Sequence, residues 1–131
     1  MEDHICKNRS VTEDHRFKIA LDHFNSEEWY LAHDSFEELW HESNILERNT
    51  LQGILQISVA QLHLESQNKN GATILFGEAL GRLSRIGTCD LGLDLDRLRK
   101  CIEQRLTFLH LERDVDLCTV PFLLKKDIGA F

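Results

Sequence analysis

Two residues that can exchange a proton or bind a metal, His33 and Glu37, stand four positions apart. An α-helix turns by about 100° per residue, so this spacing places both side chains on one face. On a helix predicted over about 27–42, the same face carries Phe36 and Trp40 and is expected to point towards the core. A carboxylate in apolar surroundings is costly unless it is paired, so Glu37 needs a partner, and His33 is the nearest candidate.

A second polar stripe lies on the next predicted helix, which covers about 50–66 and has Asn49 as its expected N-cap. Gln52, Gln56 and His63 share one face of this otherwise apolar helix. Because buried polar groups need hydrogen-bond partners, we expect this stripe to meet the one on the preceding helix.

If the two stripes meet, their polar side chains form one cluster that is buried or lines a cleft. That cluster consists of His33, Glu37, Gln56 and His63. Its simplest interpretation is a hydrogen-bond network that fixes how the two helices pack.

Two further interpretations of the cluster are open, and both involve chemistry. Two imidazoles and one carboxylate match the three protein ligands of catalytic zinc or non-haem iron, so His33, Glu37 and His63 could hold a divalent metal. In a pocket without metal, either histidine could act as a general base oriented by Glu37. The candidate ligand-binding residues are Trp40, Gln52 and Gln56.

Composition and charge limit the class of protein. The chain has 131 residues, of which 42% are hydrophobic and 28% charged, as in a single globular domain. Its net charge of −7 disfavours nucleic acid as a partner, and no apolar run is long enough to span a membrane. The start of the chain has no secretory signal, and its 4 cysteines are widely spaced, so we expect a cytoplasmic protein. A small molecule or a protein remains as the partner class.

Periodicity and capping residues predict an all-α bundle, a single domain over 1–131. The third helix is apolar nearly all round, which is typical of a central helix with the others packed around it. Gly53 on that helix, and Gly77 and Gly81 on the next, are expected at close helix contacts. An N-terminal arm and a C-terminal tail follow less regular patterns. The predicted segments are the arm 1–11, five helices at about 12–24, 27–42, 50–66, 71–86 and 94–111, and the tail 112–131.

Two ordered motifs run through the first four helices. The first consists of Phe24, Asn25, Tyr30, His33, Glu37 and Trp40, and the second of residues 52–60, His63 and residues 70–72. In order and spacing they resemble the signatures of the domain-of-unknown-function family 309, over about 22–86. The resemblance implies a small all-helical bundle in which the six candidate residues form a set, and it implies no established activity.

The sequence departs from the family pattern at two positions. Asp34 stands where the family usually has Glu, which weakens a mechanism that needs a second carboxylate at full reach. Glu27 stands where the family usually has Gly, which changes the start of the second helix.

The function expected from the sequence is that of a non-catalytic binding or scaffold module. Its polar cluster would be structural or would receive a small ligand. The alternative is a hydrolase-like enzyme, with or without the assistance of a metal, that uses His33, Glu37 and His63 as ligands or acid–base groups.

Overall fold

The computed structural model describes residues 10–126, which form five α-helices, two 3₁₀ turns and an extended C-terminal segment. The all-α fold class is thereby confirmed. Residues 1–9 of the expected arm and 127–131 of the expected tail lie outside the described residues. The helices are α1 (His15–Asn25), α2 (Trp29–Glu42), α3 (Ile45–Glu65), α4 (Lys69–Leu83) and α5 (Leu95–His110), and the 3₁₀ turns are Val11–Glu13 and Val115–Leu117.

Each helix packs mainly on its neighbours in the chain. The most extensive interface joins α3 to α4, followed by those of α2 with α3, α1 with α2 and α4 with α5. The prediction of a bundle packed around α3 is therefore not confirmed, because α1 and α5 each pack chiefly on one adjacent helix. None of the helices in residues 10–126 has the length and apolar character needed to cross a membrane. The largest fully buried side chains include Phe24, Phe36, Phe76, Leu39, Ile54, Ile57 and Ile102.

Of the three glycines predicted at close helix contacts, only Gly53 lies where α3 and α4 approach each other closely. A Cβ atom added at Gly53 would lie 3.1 Å from Leu83 Cγ and 3.6 Å from the carbonyl oxygen of Ala79, so a larger residue does not fit there unaltered. The prediction for Gly77 and Gly81 is wrong, because nothing lies within 4 Å of a Cβ atom at either position. The buried face of α4 consists instead of Ala72, Phe76, Ala79 and Leu83.

Helix α3 begins at Ile45, well before the predicted start. The side chain of Asn44 accepts the backbone N–H of Glu47 at 3.0 Å, so Asn44 is the N-cap rather than Asn49. Asn49 therefore lies inside the helix, where its side chain can reach α4.

Three helices end in the same turn, and none of the three uses glycine for it. Glu27 after α1, Gln67 after α3 and Glu112 after α5 have φ angles of 59°, 62° and 55°. In each case the next backbone N–H bonds back to a carbonyl in the last helical turn. This is the Schellman arrangement, in which the left-handed position usually belongs to glycine.

The C-terminal segment lies extended against the end of α1 and the loop before α5. Asn25 donates from Nδ2 to the carbonyl oxygen of Leu123 at 2.9 Å and accepts the N–H of Leu123 at 2.8 Å. The carbonyl of Leu124 accepts the N–H of Asp94 at 2.8 Å. One motif residue, Asn25, therefore fixes the far end of the described chain.

Candidate functional site

His33 and Glu37 are neighbours on α2, as expected from their spacing, but the pair lies near the surface. His33 Nε2 is 3.7 Å from Glu37 Oε2, and His33 Nδ1 is 3.3 Å from Asp34 Oδ1. The Glu37 side chain is 50% exposed, so water can solvate it. The expectation of a buried carboxylate is wrong because the core face of α2, which includes Phe36 and Leu39, is centred about 80° away from His33.

Two members of the polar stripe of α3, Gln56 and His63, bond to α4 and its N-cap and not to the His33–Glu37 pair. Gln56 is buried, and its Nε2 donates to Glu78 Oε1 on α4 at 3.3 Å. His63, near the end of α3, has its Nδ1 3.1 Å from Nδ2 of Asn68, the N-cap of α4. The two predicted stripes therefore have separate partners, and the four-residue cluster is not assembled as expected.

The three predicted metal ligands are separated in the same way. His33 and Glu37 share one surface of α2, whereas His63 supports the corner between α3 and α4. Within residues 10–126 no group of three or more His, Cys, Asp or Glu side chains could hold a metal ion.

A different set of polar residues does converge, around an open groove of about 480 Å³. The groove lies where the end of α2, the first half of α3 and the end of α4 meet. Two of the predicted ligand-binding residues, Trp40 and Gln52, line it, and three arginines join them. We call it the arginine groove, and its residues are Trp40, Ile45, Arg48, Asn49, Gln52, Arg82 and Arg85.

Asn49 holds two of these arginines together. Its Oδ1 accepts hydrogen bonds from Arg82 Nη1 and from Arg85 Nη1, each at 3.1 Å. Its Nδ2 donates to the backbone carbonyl oxygen of Arg82 at 2.9 Å. Both ends of the amide are used, so the orientation of Asn49 is fixed and the two guanidinium groups stand side by side.

Gln56 positions Arg82 from beneath the groove. Its Oε1 accepts the Nε–H of Arg82 at 3.1 Å, while its Nε2 is bonded to Glu78. The third predicted ligand-binding residue therefore acts through an arginine and does not line the groove itself.

Arg48 and Trp40 form the opposite part of the groove. The Arg48 guanidinium carbon lies 4.9 Å from the centroid of the Trp40 ring, within range of a cation–π interaction. Trp40 Nε1 is buried without a hydrogen-bond partner among the described residues. The ring of His41 meets the edge of Trp40 with centroids 5.1 Å apart.

The groove concentrates positive charge on an acidic protein. Elsewhere, Arg16 pairs with three carboxylates, those of Asp14, Glu38 and Glu42. By contrast, no carboxylate oxygen in residues 10–126 lies within 4.0 Å of a side-chain nitrogen of Arg48, Arg82 or Arg85. Guanidinium groups fixed in place with free N–H donors suit carboxylates and phosphates.

The sequence contains a signal for this site in the spacing of the amide residues along α3. Asn49 precedes Gln56 by seven positions, which places it within about 20° of Gln56 around the helix. Asn49, Gln52 and Gln56 therefore form one amide stripe along α3. Asparagine is also a good N-cap, which hides the role of Asn49 in the sequence, and Arg82 and Arg85 have no local pattern that marks them.

Comparison with known proteins supports the expected family. Residues 17–75 match the family described as "Domain of unknown function (DUF309)". The match covers all but the first two residues of α1, the whole of α2 and α3, and the first half of α4, and it ends before Arg82 and Arg85. Neither a curated protein nor a solved structure matches the chain.

Proposed function

We propose that this chain, whose residues 17–75 belong to the domain-of-unknown-function family 309, is a non-catalytic module that binds a small anion in the arginine groove. The observation that carries the proposal is the Asn49 fork, which holds the guanidinium groups of Arg82 and Arg85 side by side without a carboxylate.

The number of free donors supports anion binding. A guanidinium group has five N–H donors, and Arg85 uses one of them, at Nη1, in the hydrogen bonds of the described residues. Arg82 uses Nε and Nη1 and has its second terminal nitrogen left for a ligand. The volume of about 480 Å³ lies within the usual range for small-molecule sites.

The geometry favours binding over the hydrolase-like alternative. That alternative needs His33, Glu37 and His63 to converge on a metal or a substrate, but His63 is bonded to Asn68, and residues 10–126 contain no group of three such side chains that could hold a metal ion. The residues that line the groove supply no carboxylate, cysteine or histidine as a base or nucleophile. We therefore assign His33 and Glu37 to the surface of α2 and His63 to support of the N-terminus of α4.

Titration with inorganic phosphate tests the proposal. Isotope-labelled protein is titrated at constant ionic strength, with sodium chloride replaced stepwise by sodium phosphate, and the nitrogen–proton signals are followed by NMR. We expect the indole N–H signal of Trp40 to shift saturably, while that of the buried Trp29 stays in place. Loss of a charged hydrogen bond costs about 1.5–3 kcal/mol, so Arg85→Gln should weaken binding about tenfold or more.

A matched variant separates local binding from general charge attraction. Arg113 lies 5.9 Å over Phe108 beyond α5, and Arg113→Gln changes the net charge by the same amount as Arg85→Gln. We expect Arg113→Gln to bind phosphate as the parent does. Equal weakening in both variants, or no saturable shift at Trp40, would overturn the proposal.

A further inference from the structure

We infer that the ligand of the arginine groove is a small phosphate monoester, bound in its doubly charged form. This inference rests on the proposed anion-binding function and adds the charge and chemical class of the ligand.

The first reason is the closeness of the two fixed cations. Arg82 and Arg85 both donate to a single oxygen of Asn49, so their positive charges are held together. Two like charges at close range repel one another, and one monoanion neutralises only half of their charge. A phosphate monoester has close to two negative charges at neutral pH and three acceptor oxygens, which matches a pair of guanidinium groups.

The second reason is how little negative charge the protein supplies to the groove. The nearest carboxylate in the hydrogen-bond chain is that of Glu78, and it is joined to Gln56 rather than to an arginine. The carbonyl end of α4 supplies a partial negative charge beneath Arg82. With Arg48 as a third cation over Trp40, the groove retains an excess of positive charge that a dianion neutralises best.

The third reason is the apolar surface beside the cations. Ile45 lines the groove and is 85% exposed, so it leaves apolar surface open beside the cations. The Trp40 ring lines the same groove. An organic group attached to the phosphate would cover Ile45, so an ester fits this site better than inorganic phosphate.

Three probes of similar size test the charge requirement. Phenyl phosphate is a dianion above about pH 6, phenyl sulfate is a tetrahedral monoanion at every working pH, and benzoate is a planar monoanion. At pH 7.5 we expect phenyl phosphate to bind at least ten times more tightly than either monoanion, measured by the Trp40 signal. At pH 5 this advantage should fall to threefold or less, because the phosphate dianion takes up one proton and becomes a monoanion.

Ionisable side chains near the groove require control variants. His41 contacts Trp40, and Glu78 bonds to Gln56. The pH dependence should persist in His41→Gln and in Glu78→Gln. If the replacement of either residue abolishes it, the protein and not the ligand is titrating, and the inference fails.

The Asn49→Leu variant tests the arrangement of the cations without changing the net charge. We expect the preference for phenyl phosphate over phenyl sulfate to drop at least fivefold while the variant remains folded. Equal affinity of the parent for all three probes would overturn the inference and leave the proposed function standing. Failure of all three to bind would overturn both.

Discussion

Asn49 shows how one amide side chain can convert two flexible surface arginines into a fixed pair. A lone surface arginine loses rotamer entropy when it binds a ligand, whereas Arg82 and Arg85 are already held by the Asn49 oxygen. The sequence indicated polar residues on this face of α3 through Gln52 and Gln56, but not the arginines opposite. Their position depends on the register between α3 and α4, which local pattern does not determine.

Glu27 stands where the family usually has glycine, and this departure has a direct physical consequence. Its φ of 59° lies in the left-handed region, which costs a residue with a Cβ atom about 1–2 kcal/mol. Glycine avoids this cost but loses more entropy on folding, by about 0.4–1 kcal/mol. We therefore expect Glu27→Gly to raise the free energy of unfolding by about 0.5–1 kcal/mol in urea denaturation.

Glu27→Ala is the control for this prediction, because it removes the same charge and keeps the Cβ atom. We expect the alanine variant to show no comparable gain. If alanine and glycine stabilise the protein equally, charge rather than backbone conformation explains the effect.

At the scale of helices, sequence periodicity identified the number of helices and most of their extents. It did not identify where α3 begins, because Asn44 and Asn49 are both good N-cap residues. The side chain of Asn49 bonds to the carbonyl oxygen of Arg82 on α4, and Asn44 caps α3. Periodicity also could not tell whether Gly77 and Gly81 of α4 lie at a close helix contact or in solvent, because glycine occurs in both environments.

The glycines give a test of the α3–α4 interface. Gly77 and Gly81 are exposed within α4, so replacement by alanine should stabilise the protein by about 1 kcal/mol each through helix propensity. Gly53→Ala places a Cβ atom 3.1 Å from Leu83, and overpacking of this kind costs about 1–3 kcal/mol. We expect a net loss of about 1 kcal/mol at Gly53, measured by thermal and urea unfolding. A gain at Gly53 equal to that at Gly77 would show that the helices are not closely packed there.

At the scale of the whole molecule, composition and periodicity predicted the all-α class, and two motifs predicted the match of residues 17–75 to the domain-of-unknown-function family 309. The arginine groove could not be predicted from the sequence, because it depends on contacts between α2, α3 and α4. The aromatic face of α2 suggested a buried His33–Glu37 pair, but the helix is rotated so that Phe36 and Leu39 occupy the core. Two of the candidate ligand-binding residues, Trp40 and Gln52, line the arginine groove together with residues that the sequence pattern did not mark.

The ion-pair network around Arg16 links α1 to the end of α2 and predicts a pH dependence of global stability. Hydrogen bonds from Arg16 lower the pKa of Asp14 from 3.8 to about 2 and also lower the pKa of Glu42. A carboxyl group whose pKa is lower in the folded state stabilises the protein above its unfolded pKa. The contribution of Asp14 should therefore be complete above about pH 4 and be lost as the pH falls through 2.

Asp14→Asn tests this pH dependence while keeping a side chain that can cap α1. Urea unfolding of the parent and the variant is compared from pH 5 to pH 2. The parent should be the more stable at pH 5, and the difference should shrink as the pH falls. Parallel stability curves would show that the Arg16 network does not couple protonation to folding.

The central claim, that a dianion binds between the fixed arginines, is tested most directly by a crystal structure of the protein with phenyl phosphate. The account predicts phosphate oxygens within about 2.7–2.9 Å of terminal nitrogens of both Arg82 and Arg85. It further predicts that Asn49 still bridges the two arginines and that the phenyl ring lies against Ile45. A structure in which the ligand lies elsewhere, or in which Arg82 and Arg85 point away from each other, would contradict it.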